Sequence, residues 1–382
     1  MLQVLGTLAL GVVSSICAEL LLRRLRGVSL FGIFLRLVRL KRRRRTLVDP
    51  TIVVPRLVHW LDRDLSKTGR WAGQFGARPN MLEEKRFQLG AEDLASKPRL
   101  YLTGWPCFVL ARHGLSPHLL AAARDGVGRL MRTGVIRVAE AAVPQMHPET
   151  QPSVVSYRHT IRALQILFVV GETAETLAPT LGRMFDQRRP WQNDDGGWAQ
   201  CDVHFTQSDL LSSAYALDVT TALLQTKNQA VIDECTLREA LTKTLEYFVT
   251  EWHRNQWHYG DAAPPHIVPL VIHEIASSLR FANSSLHTEL IGWLKRWITP
   301  AGTVSQAYLE ECQEVSQSSA EARLAYALHL LGEPVPAWKT LWEEAISHFG
   351  HRENSADVAF LIDMAFTIRN AGQLTAARLG TA

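Results

Sequence analysis

The residues best suited to chemistry are ionisable groups set inside apolar, helix-patterned segments. Arg162, Asp218, Glu274 with its neighbour His273, Arg323 and Asp363 follow one another at intervals of 56, 56, 49 and 40 residues. With the segments ending FVVGE, LLQTK, FANSS, LLGEP and RNAGQ aligned by their carboxyl ends, these groups fall at about one depth. A carboxylate at that depth can hold or deliver a proton, and the pair Asp218 and Glu274 could serve a carbohydrate-active site. Asp218 is therefore the candidate catalytic residue, and Tyr157, Arg162, His273, Glu274, Arg323 and Asp363 are candidates to line a cavity with it. The competing reading is that the same charges are interhelical ion pairs. Unpaired ions in a closed interior are costly, so the mixture of signs favours pairing.

Other chemistries lack their residues. The chain has no phosphate-binding G-x-x-x-x-G-K-[ST], no G-x-S-x-G and no H-E-x-x-H. Cys201, Asp202 and His204 are three possible ligands in one loop, but adjacent Cys and Asp chelate one ion poorly. No metal and no cofactor is expected. The five cysteines lie far apart without a C-x-x-C, which favours reduced thiols over a disulfide framework. Tyr157, Arg158 and His159 read as a solvated helix start, His266 as part of a helix-start turn, and Glu310, Glu311, Glu314 and Glu321 as a solvated acidic face.

The elements that must position these groups are helices. Hydrophobic residues make up 47% of 382 residues, enough for a large core and too many for a disordered chain. No period-2 run marks a strand. Short turns bearing Gly or Trp recur at SKTGRWAG (66–73), MRTGVI (131–136), WQNDDGGWAQ (191–200), HRNQWHYGD (253–261), ITPAGTVSQ (298–306) and ISHFGHREN (346–354). Amphipathic helices precede them near 54–66, 117–132, 177–188, 236–252, 285–297 and 338–348. More apolar helices follow near 98–113, 153–170, 208–225, 265–281, 317–331 and 355–370. The expected fold is all-α: six helical hairpins closed as an (α/α)6 toroid over 50–382, with an open solenoid as the alternative.

The third turn is the most specific. Gln192, Asn193, Asp194, Asp195, Gly196, Gly197 and Trp198, followed by SDLLSSAYAL, resemble the Q-x-x-D-G-x-W repeat of the squalene cyclase and protein prenyltransferase superfamily. That resemblance implies an α/α toroid and structural roles for Gln192, Asp194, Asp195, Gly197 and Trp198, the Gln capping helix ends and the Trp stacking on a neighbouring repeat. The superfamily's chemistry is not matched. Leu217-Asp218-Val219-Thr220-Thr221-Ala222 echoes the cyclase acid motif, with Leu217 and Val219 in place of acids and Asp218 one position off. One helical position is about 100° of rotation, so Asp218 does not inherit the proton-donor role. In the zinc frame of the prenyltransferases, Ser212 stands where a His ligand belongs.

Charge distribution adds a membrane. Formal net charge is +4, yet ten of the 41 Lys and Arg residues fall within 23–45 and all but one of the 37 acids lie beyond them. Leu2–Leu22 is apolar enough to span about 31 Å, so 1–27 reads as a transmembrane anchor with its carboxyl side cytoplasmic. Residues 28–49 read as a basic interfacial helix and linker, with Arg36, Arg39, Lys41, Arg42, Arg43, Arg44 and Arg45 on anionic headgroups. The expected location is the inner (cytoplasmic) membrane, single-pass. Lipid is the expected partner, with an isoprenoid or other small ligand and a protein as further ones, and no nucleic acid. The favoured function is a ligand- or partner-binding scaffold, sensor or effector module. The alternative is a cyclase-like or prenyltransferase-like enzyme fed from the membrane.

Overall fold

A computed structural model describes residues 48–65, 69–71, 100–137, 154–203, 206–226, 231–258, 264–282, 284–312, 316–349 and 354–379. The anchor and the headgroup arginines lie outside them. So do His204 and Glu314, as does the side chain of His266. Among the described residues, no helix is long and apolar enough to cross a membrane. The chain divides into units 1–52 and 53–382, and the second carries nearly all that follows.

Thirteen helices are described: α1 (Pro50–Asp64), α2 (Leu100–Arg112), α3 (Pro117–Leu130), α4 (Tyr157–Val169), α5 (Ala174–Met184), α6 (Leu210–Gln225), α7 (Glu234–Asn255), α8 (Pro264–Ala282), α9 (Ser284–Lys295), α10 (Gln306–Glu311), α11 (Gln317–Leu330), α12 (Val335–His348) and α13 (Ser355–Leu379). The protein is mostly helical, as its pattern implies. Two-residue strands β1 (Trp198–Ala199) and β2 (Ser208–Asp209) pair antiparallel beside the third turn, a detail too short to show as alternation. α5 stops at Met184, four residues before the expected end, and α10 was not foreseen.

Local chemistry sets the helix ends. Ser156, Asp209 and Ser316 cap α4, α6 and α11, each side chain accepting the amide N–H three residues on. α2, α4 and α11 end alike: Gly114, Gly171 and Gly332 take positive φ, and the next amide reaches back to Leu110, Leu167 and Leu328. That repeated stop is the Schellman geometry glycine permits without steric cost.

Two helix types alternate. α3, α7, α9 and α12 bury one stripe, as in Trp338, Leu341, Trp342 and Ala345 of α12. α11 is buried along its whole length from Ser318 to Leu328, and α4 from Thr160 to Leu167. The enclosed helices pack in succession: α2 on α4, α4 on α6, α6 on α8, α8 on α11, α11 on α13, and α13 back on α2. The striped helices lie against them, α7 on α6, α9 on α8 and α11, and α12 on α11 and α13.

The third turn docks on α7. The Gln192 amide nitrogen donates to the carbonyls of Gly196 (3.0 Å) and Ala240 (3.1 Å) and to Thr244 Oγ1 (3.0 Å). Trp198 is buried, donates to the same Thr244 hydroxyl at 2.9 Å and meets Phe185 edge-on. Asp195 accepts from Gly197 N and Ser208 Oγ, closing the turn on itself, while Asp194 is exposed. Gln192 thus reaches the middle of α7 rather than capping a helix end. The fifth turn repeats the backbone pattern without the side chains. Asn193 N bonds Gly197 O and Ala199 N bonds Trp191 O; Thr299 N bonds Thr303 O and Ser305 N bonds Trp297 O.

Candidate functional site

All seven cavity-lining candidates sit on the enclosed helices, and six of them are buried or half-buried in contact with polar partners. At their centre lies Arg162, buried with 1% exposure on α4. Its guanidinium donates to both oxygens of Glu274 (3.0 Å each) and to Gln165 Oε1 (2.6 Å). It also lies over the rings of Tyr215, Phe108 and Trp105, at 4.6, 4.9 and 5.7 Å from their centroids. α4 and α8 are not neighbours in the succession; α6 stands between them, so Arg162 and Glu274 meet across the interior. Gly104 on α2 makes room: a Cβ there would come within 2.5 Å of the Arg162 guanidinium carbon. A mid-helix glycine that costs helix propensity is explained by that approach.

Asp218, the candidate acid, joins through Gln165. The Gln165 amide nitrogen donates to Asp218 Oδ2 at 2.7 Å and to Glu274 Oε2 at 3.1 Å, bridging the two carboxylates. Asp218 is half-buried, and no other hydrogen bond to its carboxylate is formed among the described residues. Arg162 thus pairs with Glu274 directly and acts on Asp218 through its charge. Burial pushes Glu274 up to about 6, against the pull of Arg162 and with the help of the Asp218 charge. Burial also raises Asp218, opposed by the Gln165 hydrogen bond and by the charges of Arg162 and Arg112.

Asp363 on α13 has the opposite surroundings. It accepts from Arg112 (2.6 Å), Tyr326 (2.8 Å) and His113 (2.7 Å), with His329 at 3.8 Å. Burial alone would raise it, but the His113 hydrogen bond, the nearby His329 and the Arg112 charge hold it well below the usual carboxylate range. His113 stacks on Phe366 at 4.0 Å, and the Arg112 side chain is half-exposed, so this cluster reaches solvent. Arg323 pairs separately with Asp357 (3.0 Å), which also accepts from Ser319 at 2.5 Å.

Between these clusters four rings from four helices touch: Trp105 (α2), His273 (α8), Tyr326 (α11) and Phe360 (α13). Trp105 and His273 lie 5.8 Å apart although α2 and α8 are three steps apart in the succession. At this level the interior is occupied by side chains. His273 Nε2 donates to the carbonyl of Arg323 at 3.1 Å, and burial lowers its pKa to about 3.

Tyr157 stands apart. It stacks on Trp191 at 4.3 Å beside the start of α4, and the neighbouring Arg158 pairs with Asp209. The solvated helix start is therefore corrected to a packed and paired one. Glu321 is corrected too: it is buried and bonded to Gln317 and His348, while Glu310 and Glu311 are exposed as expected. In the Cys201 loop, Asp202 accepts from Val155 N, and burial pushes the Cys201 thiol up to about 11, away from a ligating thiolate. No group of three His, Cys, Asp or Glu able to hold a metal occurs among the described residues.

The partners Gln165, Arg112, His113, Tyr326, Asp357 and Trp105 were missed in the sequence. Neither protein-family models nor curated proteins give a match to this chain.

Proposed function

We propose that residues 50–382 form an (α/α)6 toroid of the squalene cyclase and prenyltransferase type that acts as a binding module at a membrane. The succession of six enclosed helices, in which α13 packs back on α2, supports the closed ring. The observation that carries the function is that polar and aromatic side chains of the enclosed helices bond and touch one another, which in a closed ring would fill its middle. A polyprenyl chain would need that volume, with apolar walls and an aimed acid or metal. In this reading the module presents its outer surface or its polar mouth to a protein or small ligand. Residues 1–49 hold it to the inner membrane through the anchor and the arginines Arg36 to Arg45.

A second reading is favoured by Asp218 alone. A half-buried carboxyl whose pKa is raised, with one oxygen held by Gln165, has the profile of a general acid. The test is to assay the purified full chain with squalene-like and prenyl diphosphate substrates and to float it with anionic vesicles. The binding module gives no turnover and floats; changing Arg42–Arg45 to Gln weakens flotation by about 1 kcal/mol for each charge near the surface. Turnover that disappears in Asp218→Asn would establish the enzyme instead.

A further inference from the structure

The four-ring cluster holds two polar atoms without a hydrogen-bond partner among the described residues: Trp105 Nε1 and His273 Nδ1. Both residues are 4% exposed. Their roles are fixed and opposite. The indole N–H can only donate. His273 Nε2 faces the Arg323 carbonyl, which can only accept, so Nε2 carries the proton and Nδ1 of the neutral ring is an acceptor. The two rings meet edge to face at 5.8 Å, with an interplanar angle of 81°. Tyr326, which touches both, already spends its hydroxyl on Asp363. Leaving a buried donor and a buried acceptor both unsatisfied is rare and unfavourable in folded proteins.

We propose that Trp105 and His273 form an interior site for a single hydroxyl group, which accepts from the indole N–H and donates its own proton to His273 Nδ1. A hydroxyl can serve both nitrogens at once, because its oxygen accepts and its proton is donated. An ammonium cannot accept, a carboxylate cannot donate, and an amide divides the two roles between atoms. The hydroxyl belongs either to a permanently held water or to a small alcohol that enters from outside. The surrounding Phe360 and Tyr326 rings suit the carbon end of an alcohol as well as they confine a water. This site is independent of whether the domain is a binding module or an enzyme.

The test uses the full chain in detergent with 15N-labelled histidine. The His273 Nδ1 resonance is expected at the position of a hydrogen-bonded, unprotonated nitrogen, which needs no variant. Water-oxygen magnetic relaxation dispersion is expected to count one long-lived internal water more in the wild type than in Trp105→Phe. Titration with methanol separates the sources: saturable loss of that water marks an alcohol site, and its persistence marks a held water. A His273 signal of a free acceptor would overturn the proposal. So would equal water counts in wild type and variant with no response to methanol. A direct Trp105–His273 bond, seen as N–N coupling, would overturn it as well.

Discussion

Asp363 and the Asp218–Glu274 pair occupy the same enclosed set of helices, yet their surroundings drive them in opposite directions. Asp363 gathers an arginine, a tyrosine hydroxyl and two histidines around one carboxylate. Glu274 holds one arginine, and one glutamine bridges it to Asp218, which feels Arg162 and Arg112 only through their charge. Burial disfavours charge at both places; only at Asp363 is the supply of donors large enough to reverse it. A carboxylate's place on a helix therefore does not fix its protonation. The ratio of acids to donors around it does.

The largest expected effect comes from removing the arginine that pairs with Glu274. Arg162→Leu leaves that buried acid without its ion-pair partner and is expected to cost about 3–5 kcal/mol in denaturant unfolding. Adding Glu274→Leu should recover part of that loss, because the stranded charge goes with it. Full additivity of the two changes would deny the pairing. Asp363→Asn comes next, with a cost of about 2–3 kcal/mol from the lost charge-assisted hydrogen bonds. Gly104→Ala should cost about 1–3 kcal/mol by pushing the Arg162 guanidinium off α2, despite alanine's better helix propensity. A stabilised Gly104→Ala protein would show that Arg162 does not lie there. Asp218→Asn should be the mildest, at under about 1 kcal/mol near neutral pH, since asparagine resembles the protonated acid that burial favours.

How much of this could be read beforehand depends on sequence separation. The caps at Ser156, Asp209 and Ser316 and the glycine stops are settled within a few residues, although the hairpin pattern gave helix positions without assigning them. The docked turn at Gln192–Trp198 was legible because its whole signature lies in seven neighbours, although its target on α7 was not. The common depth of Arg162, Asp218, Glu274, Arg323 and Asp363 came from aligning the carboxyl ends of their segments, with cavity lining and interhelical pairing both left open. Their partners did not, because Arg112 meets Asp363 across 251 residues and Arg162 meets Glu274 across 112. Gly104 was not singled out, since nothing local announces that a guanidinium fills the place of its missing side chain. The aromatic filling of the interior was hidden for a related reason: Trp105, His273, Tyr326 and Phe360 come from four separate helices, one ring each.

The opposite settings of the two acids are tested most directly by unfolding free energy against pH for wild type, Asp218→Asn and Asp363→Asn. Each Asn variant subtracts one carboxyl, so its difference from wild type reports that group together with its coupling to neighbours, Glu274 in the case of Asp218. Asp363 is held below the ordinary 3.8, so its stabilisation is present above that value and is lost as pH falls through its lower folded pKa. Asp218 is raised above 3.8, so the folded state holds its proton more tightly. Its contribution should therefore grow as pH falls from its raised pKa to 3.8. Slopes of opposite sign are the expected result. Slopes of the same sign would contradict the account.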